Sequence, residues 1–233
     1  MDSIKSIARK NCRINITGYD KPFDRIMYFF CAETVNIIPP ESVCLAMVYP
    51  EDWNDLMTPW EYSGKPFGSL VRPGAKEVLT GGGMEFAIEF AISGTRDVRE
   101  ALGLDDDILQ GVGGYSFGGL EALYMAYTQP VFDFAASVSG SLWYPGAMEY
   151  FMGNEPLKGI RGVYLSIGAR EAMDKDEMRS KVIDNTKALA TWLGEDSPGA
   201  DDRDTLFELN MGGHFTEVKE RIMRCLNYCT TLE

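Results

Sequence analysis

Two hydrophobic spacings alternate along the chain. Short apolar runs bounded by polar or turn residues occur at 12–19, 25–32, 43–49, 108–115, 134–138, 163–167 and 205–209, and each predicts a strand. Elsewhere apolar residues return every three or four positions, the spacing of one helix face. These stretches predict helices at 82–102, from just past Ser116 to about 129, and at 146–153, 176–193 and 215–228. Strands that alternate with helices predict a mainly parallel sheet covered on both faces. The first two strands have no helix between them, which predicts an antiparallel start. A long Pro/Gly-rich loop follows the strand at 43–49. Between 140 and 163 there is room for little more than one helix, so no separate cap domain is expected, and 1–233 reads as a single α/β domain. The acidic stretch 194–204 is expected to be a solvated loop within that domain.

One junction in this pattern carries chemistry. Gly114-Tyr115-Ser116-Phe117-Gly118 joins the strand at 108–115 to a helix whose Leu120, Leu123, Tyr124 and Tyr127 share a face. A strand that becomes a helix within two residues forces the residue between them into a strained backbone, and neighbours without side chains make that possible. Gly-x-Ser-x-Gly in this setting is the layout of a nucleophile elbow, which makes the architecture α/β-hydrolase-like. A phosphate-binding turn fits poorly, because no Gly-Lys-Ser/Thr follows and Ser116 stands where a dinucleotide fingerprint needs its third glycine.

A serine hydroxyl at neutral pH needs a base to take its proton, and the base needs a third group to hold it. The chain has one histidine, His214, in Gly212-Gly213-His214 between the last strand and the last helix, where this fold carries its base. The chain order Ser…acid…His places the acid just after the strand at 163–167. Glu171 is the first choice there, Asp174 the second and Asp176 a third, while an unaided Ser-His pair or a plain first-turn helix charge are the competing readings of this segment. For the oxyanion hole, one amide is expected from Phe117, just after the serine. The other is expected past the strand at 43–49, in Pro50-Glu51-Asp52-Trp53, with Glu51 preferred and Asp52 or Trp53 as alternatives. Gly81-Gly82-Gly83 reads as a helix start. Trp53, Trp60, Trp143 and Tyr144 fall in loops at strand ends, where Trp53, Trp143 and Tyr144 are expected to line a substrate groove; core packing is the alternative.

Composition removes other classes. The formal net charge is −13, which argues against nucleic acid and anionic membrane surfaces as partners. The opening Met1-Asp2-Ser3-Ile4-Lys5 has mixed charge and the longest apolar run, 26–32, is too short to span a bilayer, so a cytoplasmic location is expected. Five cysteines with no Cys-x-x-Cys pair suggest neither a disulfide framework nor a zinc site; Cys225 and Cys229, at i and i+4, have only one histidine in the chain to join them. No metal or cofactor is expected.

With these residues in hand, the chain resembles the enterochelin esterase-like family of α/β-hydrolases, which includes siderophore esterases. The resemblance runs from about Val43 to the C-terminus. It is carried by the elbow and its helix, by Ser139-Gly140-Ser141-Leu142-Trp143-Tyr144-Pro145, by Gly168-Ala169-Arg170-Glu171, by Gly212-Gly213-His214 and by the loop from Glu51 to Trp60. The Asp-Gly pair usual before that loop reads Tyr49-Pro50 here. The resemblance implies a serine esterase that acts on a small-molecule ester through an acyl-enzyme, without cofactor. A siderophore substrate does not follow from it: no counterpart of the additional N-terminal domain of the enterochelin enzymes is expected, and a charge of −13 suits an anionic iron complex poorly. An acyltransferase or thioesterase on the same fold is the alternative enzyme, and a non-catalytic pseudo-hydrolase that binds a partner is the alternative outside enzymes.

Overall fold

The computed structural model of the chain describes residues 3–62, 79–104, 108–156, 159–173 and 176–232. Its strands are β1 (Lys5–Ala8), β2 (Cys12–Thr17), β3 (Phe23–Phe30), β4 (Ser42–Pro50), β5 (Leu109–Tyr115), β6 (Phe134–Val138), β7 (Gly162–Gly168) and β8 (Asp204–Asn210). They form one sheet in the order β1-β2-β4-β3-β5-β6-β7-β8. The helices are α1 (Trp53–Leu56), α2 (Gly83–Glu89), α3 (Thr95–Leu102), α4 (Phe117–Thr128), α5 (Ala147–Gly153), α6 (Val182–Thr191) and α7 (Val218–Cys229). A wide π-type turn at Phe90–Gly94 joins α2 to α3, so the helix expected at 82–102 is one run with a local widening; a second such turn, Trp192–Asp196, extends α6.

The expected antiparallel start is corrected in its partners. The strands at 12–19 and 25–32 do not pair with each other. β2 is antiparallel to β1 and to β4, while β3 runs parallel between β4 and β5. The side chains explain the exchange. β3 buries Ile26, Tyr28 and Phe30 in one core cluster and Met27 and Phe29 in the other, and each such side chain contributes roughly 1.5–3 kcal/mol when fully buried. A strand apolar on both faces belongs in the middle of a covered parallel sheet. β2 alternates buried and more exposed positions, so it suits the sheet's flank. β1 has four residues and no apolar run, and the hydrophobic pattern gave no sign of it.

The two faces are covered unequally. Residues from α2 to α6 join the cluster that holds Tyr28, Phe30 and Val112. On the other side α7 supplies Ile222, Cys225, Leu226 and Cys229 to the cluster of Met27, Phe29, Leu45 and Tyr164. Cys225 and Cys229 are therefore core side chains, and burial pushes the Cys225 thiol well up. Between β6 and β7 the described residues hold α5 and its flanking turns. β8 closes one end of the sheet and is half exposed along its length, with Leu206 and Leu209 reaching solvent.

One charge-bearing side chain is out of place in this core. Glu121, in α4, is fully buried, and neither carboxyl oxygen has a hydrogen-bond partner among the described residues. It lies against the start of α2, where a Cβ on Gly83 would come within 2.4 Å of its Oε2. Burial pushes its carboxyl well above the ordinary range, which keeps it protonated.

Candidate active site

Every loop that builds the site leaves the C-terminal end of a parallel strand, the edge at which open α/β sheets bind ligands. Ser116 sits between β5 and α4 with φ 59° and ψ −123°, a left-handed strained conformation for a residue with a side chain. It is pinned there: its N–H donates to Val138 at 3.1 Å, and its carbonyl accepts from Gly119, Leu120 and Ser141. The glycines leave the necessary room. A Cβ on Gly114 would stand 2.2 Å from the carbonyl carbon of Gly118, and one on Gly118 would stand 2.7 Å from the Phe30 carbonyl oxygen. A half-buried hydroxyl at the start of a helix results.

His214 and Glu171 meet this hydroxyl in line. His214 Nε2 lies 3.1 Å from Ser116 Oγ, and His214 Nδ1 lies 2.7 Å from Glu171 Oε2. The imidazole is part exposed, at 29%, whereas the carboxylate is 5% exposed. The loop that carries His214 turns at Gly212, with φ +85°, and is tied to the Glu171 loop by the Arg170 N–H, which donates to the Gly212 carbonyl at 2.9 Å. Glu171 opens a short 3₁₀ turn after β7. Its Oε1 accepts from the Ser139 hydroxyl at 2.7 Å, from the Gly168 N–H at 2.8 Å and from the Arg221 guanidinium at 3.1 Å. Burial alone would raise this carboxyl. The hydrogen bond and charge of His214, with the Ser139 and Gly168 donors, outweigh it and hold the carboxyl at about 2.

Of the other candidate acids, Asp176 faces elsewhere: its Oδ1 accepts from the N–H groups of Met178 and Arg179 and so ties up its own turn. Asp174 lies outside the described residues.

Phe117 opens α4 beside Ser116, and its buried ring packs on Trp143 with centroids 5.6 Å apart. Glu51 is corrected. Its N–H donates to the Asn11 carbonyl at 2.9 Å, so it is engaged away from the site. Its strand is β4, which β3 separates from β5; the strand end beside the elbow is that of β3, where Phe30 stands opposite Gly114. Asp52 caps α1 through its side chain. Trp53 and Trp143 are half-buried, Trp143 on Phe117 and Trp53 with its indole 3.0 Å from where a Gly118 Cβ would lie. Tyr144 is also corrected: it is 2% exposed and its hydroxyl donates to the Trp60 carbonyl at 2.7 Å, so it belongs to the core. Trp60 is structural too, donating from Nε1 to the Pro145 carbonyl.

Four residues to which the sequence assigned no role at the site surround this line. The Tyr115 hydroxyl donates to the His214 carbonyl; burial raises that phenol, which keeps it protonated as a donor. Ser139 holds Glu171, and Ser141 brings its Oγ to 3.5 Å from Ser116 Oγ. Arg221, fully buried on α7, bonds Tyr115, Gly213, Ser139 and Glu171. The signal for Arg221 was present in the spacing, since it shares the core face of α7 with Cys225 and Tyr228 at i, i+4 and i+7.

The strand order, the covered parallel sheet and the elbow define an α/β-hydrolase-type fold. No protein-family model matches the chain. The uncharacterized protein YbbA of Bacillus subtilis is 31% identical over 87 residues, a stretch that spans 37% of this chain and 35% of that protein. Among solved structures, the BES protein from Bacillus cereus is similar over 97% of this chain and 95% of its own, with a TM-score of 0.70 and 18% identity. The siderophore hydrolase EstA from Aspergillus nidulans is similar over 99% and 94%, with a TM-score of 0.67 and 16% identity. These likenesses cover nearly all of the chain and show the shared fold. Among the described residues no helix is long and apolar enough to cross a membrane.

Proposed function

We propose that the chain is a serine-dependent carboxylic ester hydrolase that works through an acyl-enzyme on a small-molecule ester. The observation that carries this reading is the line Ser116 Oγ, His214 Nε2, His214 Nδ1 and Glu171 Oε2, with separations of 3.1 Å and 2.7 Å across its two hydrogen bonds. In this reading Ser116 gives its proton to His214 Nε2 as its oxygen attacks the acyl carbon. Glu171 holds the imidazole by Nδ1 and stabilises the imidazolium that forms. His214 then passes the proton to the leaving alcohol, and a water molecule repeats the sequence to release the acid.

The developing oxyanion would be met by the Phe117 amide at the start of α4 and by a second amide from the turn after Phe30. That turn follows β3 directly beside the elbow, the position from which this fold draws its second donor. Trp53, beside Gly118, and Trp143, packed on Phe117, would line the acyl or alcohol groove. One continuous sheet supports reading 1–233 as a single domain. The whole-chain likeness to a protein described as a siderophore hydrolase supports ester cleavage as the reaction; the charge of −13 favours an ester other than an anionic iron complex.

Labelling with a fluorophosphonate, followed by intact mass and peptide mapping, tests the reading, because only a base-activated hydroxyl beside an oxyanion hole reacts quickly with such a reagent. The expected result is a single adduct on Ser116, together with turnover of p-nitrophenyl esters that Ser116→Ala abolishes. A folded but unlabelled protein would favour the pseudo-hydrolase.

A further inference from the structure

We propose that Arg221 is a positioning residue that acts on His214 through Glu171 and so sets the pH at which the esterase site switches on; this rests on the ester-hydrolase reading. The guanidinium reaches the end of each of the last four strands: Nη1 donates to the hydroxyl of Tyr115, the last residue of β5, at 3.2 Å and to the Gly213 carbonyl, after β8, at 3.3 Å. Nη2 donates to Ser139 Oγ, after β6, and to Glu171 Oε1 at 3.1 Å, after β7. The same cation lies 5.7 Å from the centroid of the Tyr115 ring. A fully buried guanidinium is tolerated only with several acceptors arranged around it, and here the acceptors are the residues that frame Ser116, Glu171 and His214.

The electrostatic consequence has a definite sign. Glu171 divides its charge between two cation-stabilising partners, His214 at Oε2 and Arg221 at Oε1. Without Arg221 the whole carboxylate charge would act on the imidazole and favour its protonated form to higher pH. The other titratable groups that face this pair are the Tyr115 phenol, whose ring lies 5.4 Å from that of His214, and the Cys31 thiol after β3, which lies near Tyr115; burial raises both, so both are neutral at assay pH. On α7 itself, Arg224 is turned toward Glu208, Asn210 and Glu217.

The test compares wild type, Arg221→Met, Glu171→Gln and the double variant by kcat/KM against pH with a p-nitrophenyl ester, with circular dichroism as the folding control. In Arg221→Met the acid limb is expected to move up by about half a pH unit or more, with kcat on the plateau about threefold to thirtyfold lower. In the Glu171→Gln background the same substitution is expected to cost less than about twofold, because the group through which it acts is gone. An unmoved limb, or losses that multiply in the double variant, would overturn the proposal and leave Arg221 as packing alone. Should Arg221→Met not fold, Arg221→Lys decides: a retained charge keeps the limb in place, and an upward displacement sinks the idea. Failure of the esterase reading shows separately, as Ser116→Ala with undiminished activity.

Discussion

The hydroxyl of Tyr115 donates to the main-chain carbonyl of His214, so the residue beside Ser116 in the chain also holds the loop that brings the imidazole to it. Tyr115→Phe keeps the ring and removes this tie. On the proposed mechanism kcat is expected to fall about threefold to thirtyfold with KM within about twofold, since what is lost is alignment of the base and not contact with substrate. Steady-state kinetics on the pH plateau measures it. An unchanged kcat would mean that Gly212 and Arg221 suffice to place the loop.

Replacing the base itself is expected to cost far more. His214→Ala removes the only imidazole in the chain, and turnover should drop by roughly 10³-fold or more with the circular dichroism spectrum unchanged. A loss below about tenfold would transfer the role of base to another group.

Glu171 gives a prediction with a worked sign. Its carboxyl is held at about 2, below its ordinary value, so the stability it contributes is present above the ordinary carboxylate range and is lost as pH falls toward 2. It therefore stays ionised in any assay above about pH 4, and log kcat/KM on the acid side is expected to fall with a slope of one, from a single ionisation. Glu171→Gln should lower kcat by roughly 10² to 10⁴ with KM little changed. Its deficit in melting temperature against wild type should narrow between about pH 5 and pH 2. A slope of two would mean that the carboxyl titrates with the base.

For Glu121 the sign is opposite. Its carboxyl is raised in the folded protein, so folding loses stability as pH rises above the ordinary carboxylate range of about 4.3, where the unfolded chain releases this proton and the folded chain retains it. Glu121→Gln, which cannot ionise, is expected to melt higher than wild type, by a margin that grows from pH 5 to pH 8. A margin independent of pH would show that Glu121 is solvated in solution.

The elbow is a packing test as well as a chemical one. Gly114→Ala would place a methyl group 2.2 Å from the carbonyl carbon of Gly118, and main chain on both sides cannot yield as a flexible side chain would. A destabilisation of about 1–3 kcal/mol or more is expected in denaturant unfolding.

Much of this arrangement was legible because it rests on local pattern. The run at 134–138 predicted β6 at its observed bounds, and Ser116, Glu171 and His214 were picked out by chain order around a Gly-x-Ser-x-Gly turn; they prove to be adjacent in space. What was not legible depends on who neighbours whom. Periodicity identifies a strand but says nothing about its partner, so the exchange of β3 and β4 was missed, and with it the loop beside the elbow. Glu51 was chosen on the wrong strand for that reason. Tyr144 looked like a loop aromatic because a polar tip with an apolar body suits groove and core equally; the Trp60 carbonyl that satisfies its hydroxyl comes from a distant part of the chain. Arg221 escaped notice because a buried arginine is rare, and its four acceptors are spread over a hundred residues of sequence.

β8 has a consequence outside the site. As the last strand of the sheet it presents a row of peptide groups with no strand beyond it among the described residues, and Leu206 and Leu209 stand exposed along it. Such an edge is a template for pairing with a second chain. At neutral pH a formal charge of −13, with Asp204 and Glu208 on the strand itself, keeps two molecules apart. Near pH 4.6, where the net charge vanishes, that repulsion is gone and edge-to-edge aggregation is the expected route of precipitation, so the colloidal behaviour of the protein is governed by acidity at the opposite end of the scale from its proposed chemistry.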